Sequence, residues 1–327
     1  MNSPIKAKHE AKEDGQDVRA PIIAIVGPTA SGKSDLGIEL ARRIGGEIIN
    51  CDSVQVYQGI QIATAKVSLA ERRGVPHHLI DFVPPSVNYT AADWARAAIQ
   101  KIEEIEKRGH CALLVGGTGF YLRALRLPFF ESPSTDEDLR ARLTQIRERR
   151  GPEHLHRILR KLDAAEAAKL NPRDWPRVQR AIEFCLQTGD PISRQKPLRP
   201  EPPALVARLR LIALGPPRHE LYSRINQRTE RHFANGLVEE VRLLINEGVP
   251  ANSNALGAHG YRRVVEFLRG ERDLNSAIAQ TKLDVRHYAK RQLSWFRHER
   301  GVQWLEGFGD DRAVQERALA LLGFTHP

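Results

Sequence analysis

Three cysteines in 327 residues, Cys51, Cys111 and Cys185, are too few and too unevenly spaced for a disulfide framework. No Cys-x-x-Cys pair occurs, so neither a zinc ribbon nor a redox couple is written into the chain. Each cysteine lies beside apolar residues, and buried free thiols in a reducing cytoplasm are the expectation. No apolar run approaches the roughly 18 residues of a membrane span, so no membrane partner is expected. The first twenty residues, MNSPIKAKHEAKEDGQDVRA, lack the apolar core of a secretory signal and read as a disordered leader, 1–20. Internal repeats and low-complexity tracts are absent, and His77, His78, His154 and His156 show no metal-ligand spacing.

Positive charge is what the chain does have, and it is concentrated. The chain carries 50 Lys and Arg against 40 Asp and Glu, a formal net charge of +10. Between Leu139 and Arg180 twelve basic residues face five acidic ones; between Thr281 and Arg300 six face two. Charge gathered in this way favours a polyanionic partner such as nucleic acid, and equally fits solvated helix surfaces.

Short apolar runs alternate with helical periodicity through the first third. GEIIN (46–50), HLIDF (78–82) and CALLVG (111–116) read as buried strands. Thr90-Ala91-Ala92-Asp93 has the form of a capping box, after which Trp94, Ala98, Ile102 and Ile105 share one helix face. The alternation predicts an α/β fold with a parallel sheet and helices on both faces. From 128 to 203 no strand-like run occurs. Leu139, Leu143 and Ile146, then Leu155 and Leu159, then Val178, Ile182 and Leu186 mark three helices, and a proline-rich stretch closes the section. These features predict an all-helical insertion at 128–203 inside a core formed by 21–127 and 204–327. Within the second core segment, strands are expected at 208–214 and 301–305, with helices near 218–235, 237–247 and 275–300 between them.

Gly27-Pro28-Thr29-Ala30-Ser31-Gly32-Lys33-Ser34 fits the G-x-x-x-x-G-K-[ST] phosphate-binding loop. An apolar strand (Ile22, Ile23, Ile25, Val26) precedes it, and Leu36, Leu40 and Ile44 follow at helical spacing. Backbone N–H groups and the helix N-terminus make an anion site there, Lys33 adds a point charge, and the Ser34 hydroxyl suits Mg²⁺. The fold class read from the chain is therefore α/β, with a P-loop NTPase-like core. One part is missing. ATPases and GTPases of this class place an Asp at the end of a later strand to help hold Mg²⁺. Here that strand ends in Gly116-Gly117-Thr118, which points to close approach of backbone to a ligand. Asp52 is the acid that emerges from a strand near the loop. Ser53, Gln55 and Tyr57 follow it, side chains suited to hydrogen-bonding or stacking against a base. A carboxylate beside a phosphate site is unfavourable unless metal or chemistry uses it; Asp52 also fits a Mg²⁺-water ligand or a helix cap. Arg224, Arg228 and Arg231 form a basic stripe. Lys282, Arg286, Lys290 and Arg297 form another, interleaved with Tyr288 and Trp295, and both patterns fit RNA or a solvated face.

Taken together, the motifs resemble the bacterial tRNA dimethylallyltransferases. The resemblance rests on GPTASGKS (27–34), DSVQVYQGIQIATAK (52–66), PHHLIDFVPPSVNYTAADW (76–94), LLVGGTGFYLRAL (113–125), QRAIE (179–183), INQRTERHFANGLVEEV (225–241) and YAKRQLSWFR (288–297). It implies transfer of a dimethylallyl group from dimethylallyl diphosphate to the exocyclic amine of the adenine 3′-adjacent to the anticodon, with Mg²⁺ as cofactor. It implies that Gly27, Pro28, Thr29, Ala30, Ser31, Gly32, Lys33, Ser34 and Arg228 hold the diphosphate, Ser34 with the metal. Asp52 would be the general base, with Thr118, Lys33 and Arg228 at the reacting centre. Contacts to the tRNA anticodon stem-loop are implied for Asp52, Ser53, Val54, Gln55 and Thr118. They are implied also for Arg140, Pro176, Arg177, Val178, Gln179 and Arg180 in the insertion. A third group is Lys290, Arg291, Gln292, Leu293, Ser294, Trp295, Phe296 and Arg297. LGAHGYRR (256–263) departs from the family pattern, as does RLPFF (126–130) at the entry to the insertion. A cytoplasmic monomer is expected. An adenylate dimethylallyltransferase using free nucleotide, a P-loop small-molecule kinase and a non-enzymatic RNA-binding switch are the competing readings.

Overall fold

A computed structural model describes residues 20–130 and 132–324. The expected leader therefore lies outside the described residues, apart from Ala20. These residues form two compact units, one running to Leu125 and resuming at Pro203, the other Arg126–Pro202.

In the first unit the chain opens on β1 (Ile22–Val26), whose five residues are all buried. It continues through α1 (Lys33–Ile44), β2 (Gly46–Asn50), β3 (His77–His78), α2 (Ala91–Lys107), β4 (Cys111–Val115) and α3 (Gly119–Arg126). All pairings among these and the two later strands are parallel, and β1 lies at the centre with β4 on one side. A strand buried on both faces must be apolar throughout, which is why IIAIV shows no polar alternation. Leu36, Leu40 and Ala41 of α1 pack on Ile23, Ile25 and Leu113. Complete burial of one such side chain is worth about 1.5–3 kcal/mol. Over β2 and β4, α2 buries Trp94, Ala98, Ile102 and Ile105. Thr90 and Asp93 make the expected capping box. Trp94 donates to the Asn50 carbonyl at 2.8 Å and stacks on Tyr121.

The second unit is helical. It contains α4 (Glu137–Arg150), α5 (Pro152–Leu162), α6 (Ala164–Ala167), α7 (Trp175–Thr188) and α8 (Ile192–Gln195). Leu143, Leu155, Leu159, Val178 and Ile182 close its core. Leu186, expected on that buried face, is exposed.

On returning to the first unit the chain forms β5 (Leu209–Gly215), α9 (Arg218–Ala234), α10 (Leu237–Asn246), α11 (Tyr261–Leu268), α12 (Leu274–Arg297), β6 (Val302–Glu306) and α13 (Arg312–Leu321). The strand order is β3-β2-β4-β1-β5-β6. Three expectations change. The strand read at 78–82 shrinks to His77–His78 because Leu79 and Asp81 take left-handed backbone angles, φ 55° and 56°. The long helix stops at Arg297 rather than 300. α3, α11 and α13 were not read from the sequence as helices.

Candidate active site at the carboxyl ends of the central strands

Three turns meet where β1, β2 and β4 end, the position at which open α/β sheets bind ligands. The first is the glycine-bounded loop. Gly27 (φ 136°) leaves β1 with no room for a Cβ, which would stand 2.9 Å from the Leu214 carbonyl. Ala30 takes φ 64° without being glycine, a local strain of about 1–3 kcal/mol of the kind kept at functional sites. Behind the loop, the Gly309 amide donates to Ser31 O at 2.9 Å. Lys33 Nζ donates to Pro28 O at 2.6 Å. Burial brings the Lys33 ammonium down from 10.5 to about 8, although Asp52 opposes the shift. Arg228, presented by α9, hydrogen-bonds Thr29 Oγ1. Burial likewise lowers its guanidinium to about 10, again against Asp52. Two desolvated cations facing one carboxylate leave a net demand for an anion.

Asp52 ends the second turn, two residues beyond β2. Its Oδ1 accepts from the amides of Val54 (2.9 Å) and Gln55 (3.3 Å), which fixes the carboxylate's orientation. Thr118 supplies the third turn. Its Oγ1 accepts from the Ser53 amide at 2.9 Å, and its own amide donates to Cys51 O at 3.1 Å. The turns after β2 and β4 are thereby interlocked. A Cβ on Gly116 would stand 2.1 Å from Cys51 O, and one on Gly117 2.1 Å from Gln292 Nε2. The close approach that these glycines permit is thus to Cys51 and Gln292.

Two cavities open on these turns. One of about 500 Å³ is lined by Lys33, Ser34, Lys66, Asp310 and the rest of the phosphate loop from Thr29. The other, about 230 Å³, is lined by Ser53, His232, Phe233, His259, Tyr261 and Tyr288. Thr29, Asp52, Thr64 and Arg228 line both, so the Asp52 carboxylate and the buried arginine stand where the cavities meet.

A model of the IPP transferase family matches residues 55–299. The chain belongs to this family. It is 45% identical to a tRNA dimethylallyltransferase of Solibacter usitatus, covering 91% of this chain and 97% of that protein. A tRNA dimethylallyltransferase of Geobacter metallireducens is 44% identical, with 95% and 99% covered. Among solved structures, the tRNA isopentenylpyrophosphate transferase of Bacillus halodurans superposes with a TM-score of 0.67 at 36% identity, over 94% of this chain and 95% of that one. A eukaryotic dimethylallyltransferase described as acting on tRNA gives 0.76 at 27% identity, over 93% and 79%.

Several residues of this chain stand elsewhere than the sequence suggested. Tyr57 is a core residue, 2% exposed, and its hydroxyl accepts from the Tyr89 amide; it is not placed to stack on a base. Gln292 and Phe296 are buried within α12, while Lys290, Arg291, Ser294 and Arg297 of the same helix are exposed. Leu293 packs with Leu221 and Ile225, and Trp295 lies under Arg123 at 4.0 Å. In the helical unit Val178 and Gln179 are buried, whereas Pro176 and Arg177 are exposed. Arg140 holds buried Glu183 through two bonds of 2.9 Å, and Arg180 joins the same carboxylate at 3.3 Å. Of the residues for which an RNA contact is implied, Val178, Gln179, Gln292 and Phe296 are thus buried.

Other contributors were not legible. Asp310, from the loop before α13, pairs with Arg224 at 2.8 Å and backs Gly32. Tyr261, in the segment that departs from the family pattern, donates its hydroxyl proton to Glu240 and accepts from the Ala63 amide at 3.3 Å. Glu240 also accepts from the Gln61 and Ile62 amides, so α10 and α11 pin the strip 61–64 between the cavities. Burial, with Arg228 and Arg231 nearby, lowers His232 to about 4 and keeps its imidazole neutral.

Among the described residues no group of three or more His, Cys, Asp or Glu is arranged to hold a metal. Mg²⁺ needs no such cage, since it keeps several waters and takes one or two protein oxygens plus phosphate. The Ser34 hydroxyl, with Asp35 and Asp310 on the same cavity wall, is a hard-oxygen set that fits it. No helix among the described residues is long and apolar enough to cross a membrane.

Proposed function

We propose that this chain transfers the dimethylallyl group of dimethylallyl diphosphate to the exocyclic amine of the adenine 3′-adjacent to the anticodon of tRNA, releasing diphosphate. The observation that carries the reading is Asp52 and Arg228 at the junction of two cavities, one of them a phosphate loop. A donor seated by its diphosphate in the larger cavity directs its allylic carbon towards that junction, where an amine entering from the other side meets it. The amine nitrogen bonds to the allylic C1 as the C1–O bond breaks, and that electron pair leaves on the diphosphate. Lys33, Arg228 and the loop amides stabilise the charge gathering there, most strongly because the cations are already desolvated. Asp52 takes the proton that the amine loses. Ser34, Asp35 and Asp310 would hold Mg²⁺, which when bound offsets charge on the leaving diphosphate.

The basic exposed face of α12 and the exposed Arg177 of the insertion supply positive surface of the kind that favours RNA over free nucleotide. The test is incubation with Mg²⁺ and dimethylallyl diphosphate, offering an anticodon stem-loop or adenosine monophosphate, followed by nucleoside mass spectrometry. Prenylated adenosine is expected from the stem-loop. Product from the mononucleotide alone would favour the free-nucleotide enzyme.

A further inference from the structure

Three successive residues of the turn after β4 are each met by a different side chain of α12. The Tyr288 phenol stands beside Thr118, whose side chain tempers the rise that burial gives the hydroxyl. Gln292 Nε2 donates to Gly117 O at 2.9 Å. The Trp295 indole lies so close that a Cβ on Gly119 would stand 2.2 Å from it. Positions 288, 292 and 295 follow i, i+4, i+7, a single helix face.

Gln292 does one thing more. Its Oε1 accepts from the Thr29 amide, in the phosphate loop, at 2.8 Å. The ladder between β1 and β4 ends with Gly116 N donating to Ile25 O at 3.1 Å. Beyond that point the two chains diverge, and buried backbone groups still need partners. The Gln292 amide, 4% exposed, supplies the next rung from a side chain: it accepts from the extension of one strand and donates to that of the other. The Thr29 amide is thereby committed to the scaffold rather than to a ligand.

We propose that Gln292 is a positioning residue that locks the phosphate loop to the turn carrying Thr118, and so fixes the leaving group relative to Asp52. This rests on the donor assignment above. Gln292, for which the resemblance implies an RNA contact, is engaged by these two bonds, while Lys290, Arg291 and Arg297 of α12 are exposed.

Gln292→Met keeps the volume and removes both hydrogen bonds. The expected result is a roughly tenfold fall in kcat, ~1.4 kcal/mol of transition-state stabilisation. Affinity for inorganic diphosphate with Mg²⁺, read by calorimetry, falls in parallel, and KM for the anticodon stem-loop stays unchanged. Gly117→Ala displaces the same amide by contact, so it lowers kcat and diphosphate affinity alone. In a Gln292→Ala background it adds nothing, because the clashing atom has gone. Should the Gln292 variants fail to fold, Gly117→Ala carries the test. A raised stem-loop KM with kcat and diphosphate affinity intact would overturn the proposal, as would losses from the two substitutions that simply multiply. If the wild-type protein transfers no prenyl group, the functional reading falls, and the diphosphate titrations still decide the role of Gln292.

Discussion

Lys33 illustrates how a side chain can be costly to the folded protein and useful to its ligand. Its value of about 8 in the folded protein lies below the ordinary 10.5. Between those two values the unfolded chain holds a proton that the folded protein has lost, so this group makes stability rise with pH across that window. Diphosphate binding has the opposite sign, because an anion favours the ammonium. At pH 9 binding is expected to take up a proton at Lys33, visible as a buffer-dependent calorimetric enthalpy, and Lys33→Met should abolish that uptake. Asp52 separates chemistry from binding. Asp52→Asn keeps an Oδ1 acceptor for the Val54 and Gln55 amides but removes the base. Transfer should slow by about 10²–10⁴-fold with stem-loop affinity nearly unchanged. Restoration of activity by raised Mg²⁺ would instead make Asp52 a metal-water ligand.

Among the elements, α7 carries the insertion's most exacting polar site. Glu183 is fully buried, and Arg140, Arg180 and Gln179 surround it. Arg140→Ala is expected to destabilise the protein by about 1–3 kcal/mol in urea unfolding, since it strands a buried acceptor. Arg177, 71% exposed at its side chain, is the cleaner probe of RNA affinity. Arg177→Ala should leave stability unchanged and reduce the salt slope of stem-loop binding by about one. In β2, between β3 and β4, Glu47 is buried, which works to raise its carboxyl, but hydrogen bonds from Arg108, His110 and His78 outweigh this and hold it at about 2. A value below the ordinary 4.5 means stability that is present above that pH and lost as pH falls towards 2. Glu47→Gln should flatten acid unfolding over that interval.

At the scale of the whole molecule, legibility followed sequence distance. The loop Gly27–Ser34, the apolar β1 and the capping box at Thr90 are contiguous signals, and each was readable because one local rule decides it. The Gly116-Gly117-Thr118 turn was readable as special, but not its reason, because Gln292 and Cys51 approach it from distant parts of the chain. α3 was hidden because its eight residues are too few for a clear periodic pattern. α11 was hidden because its start at Gly260-Tyr261 lies in the segment that departs from the family pattern. Within YAKRQLSWFR, Gln292 and Phe296 are buried while Lys290, Arg291, Ser294 and Arg297 are exposed, a division that the contiguous motif does not show.

The central claim is that the phosphate loop serves an allylic diphosphate leaving group rather than a transferred phosphoryl group. One reaction containing dimethylallyl diphosphate, ATP, Mg²⁺ and the anticodon stem-loop tests it, with prenylated adenosine, diphosphate and ADP quantified together. Diphosphate should appear in equal amount with prenylated adenosine, unaltered when ATP is left out, and ADP should not accumulate. ADP formed in step with product, or product that requires ATP, would contradict the account.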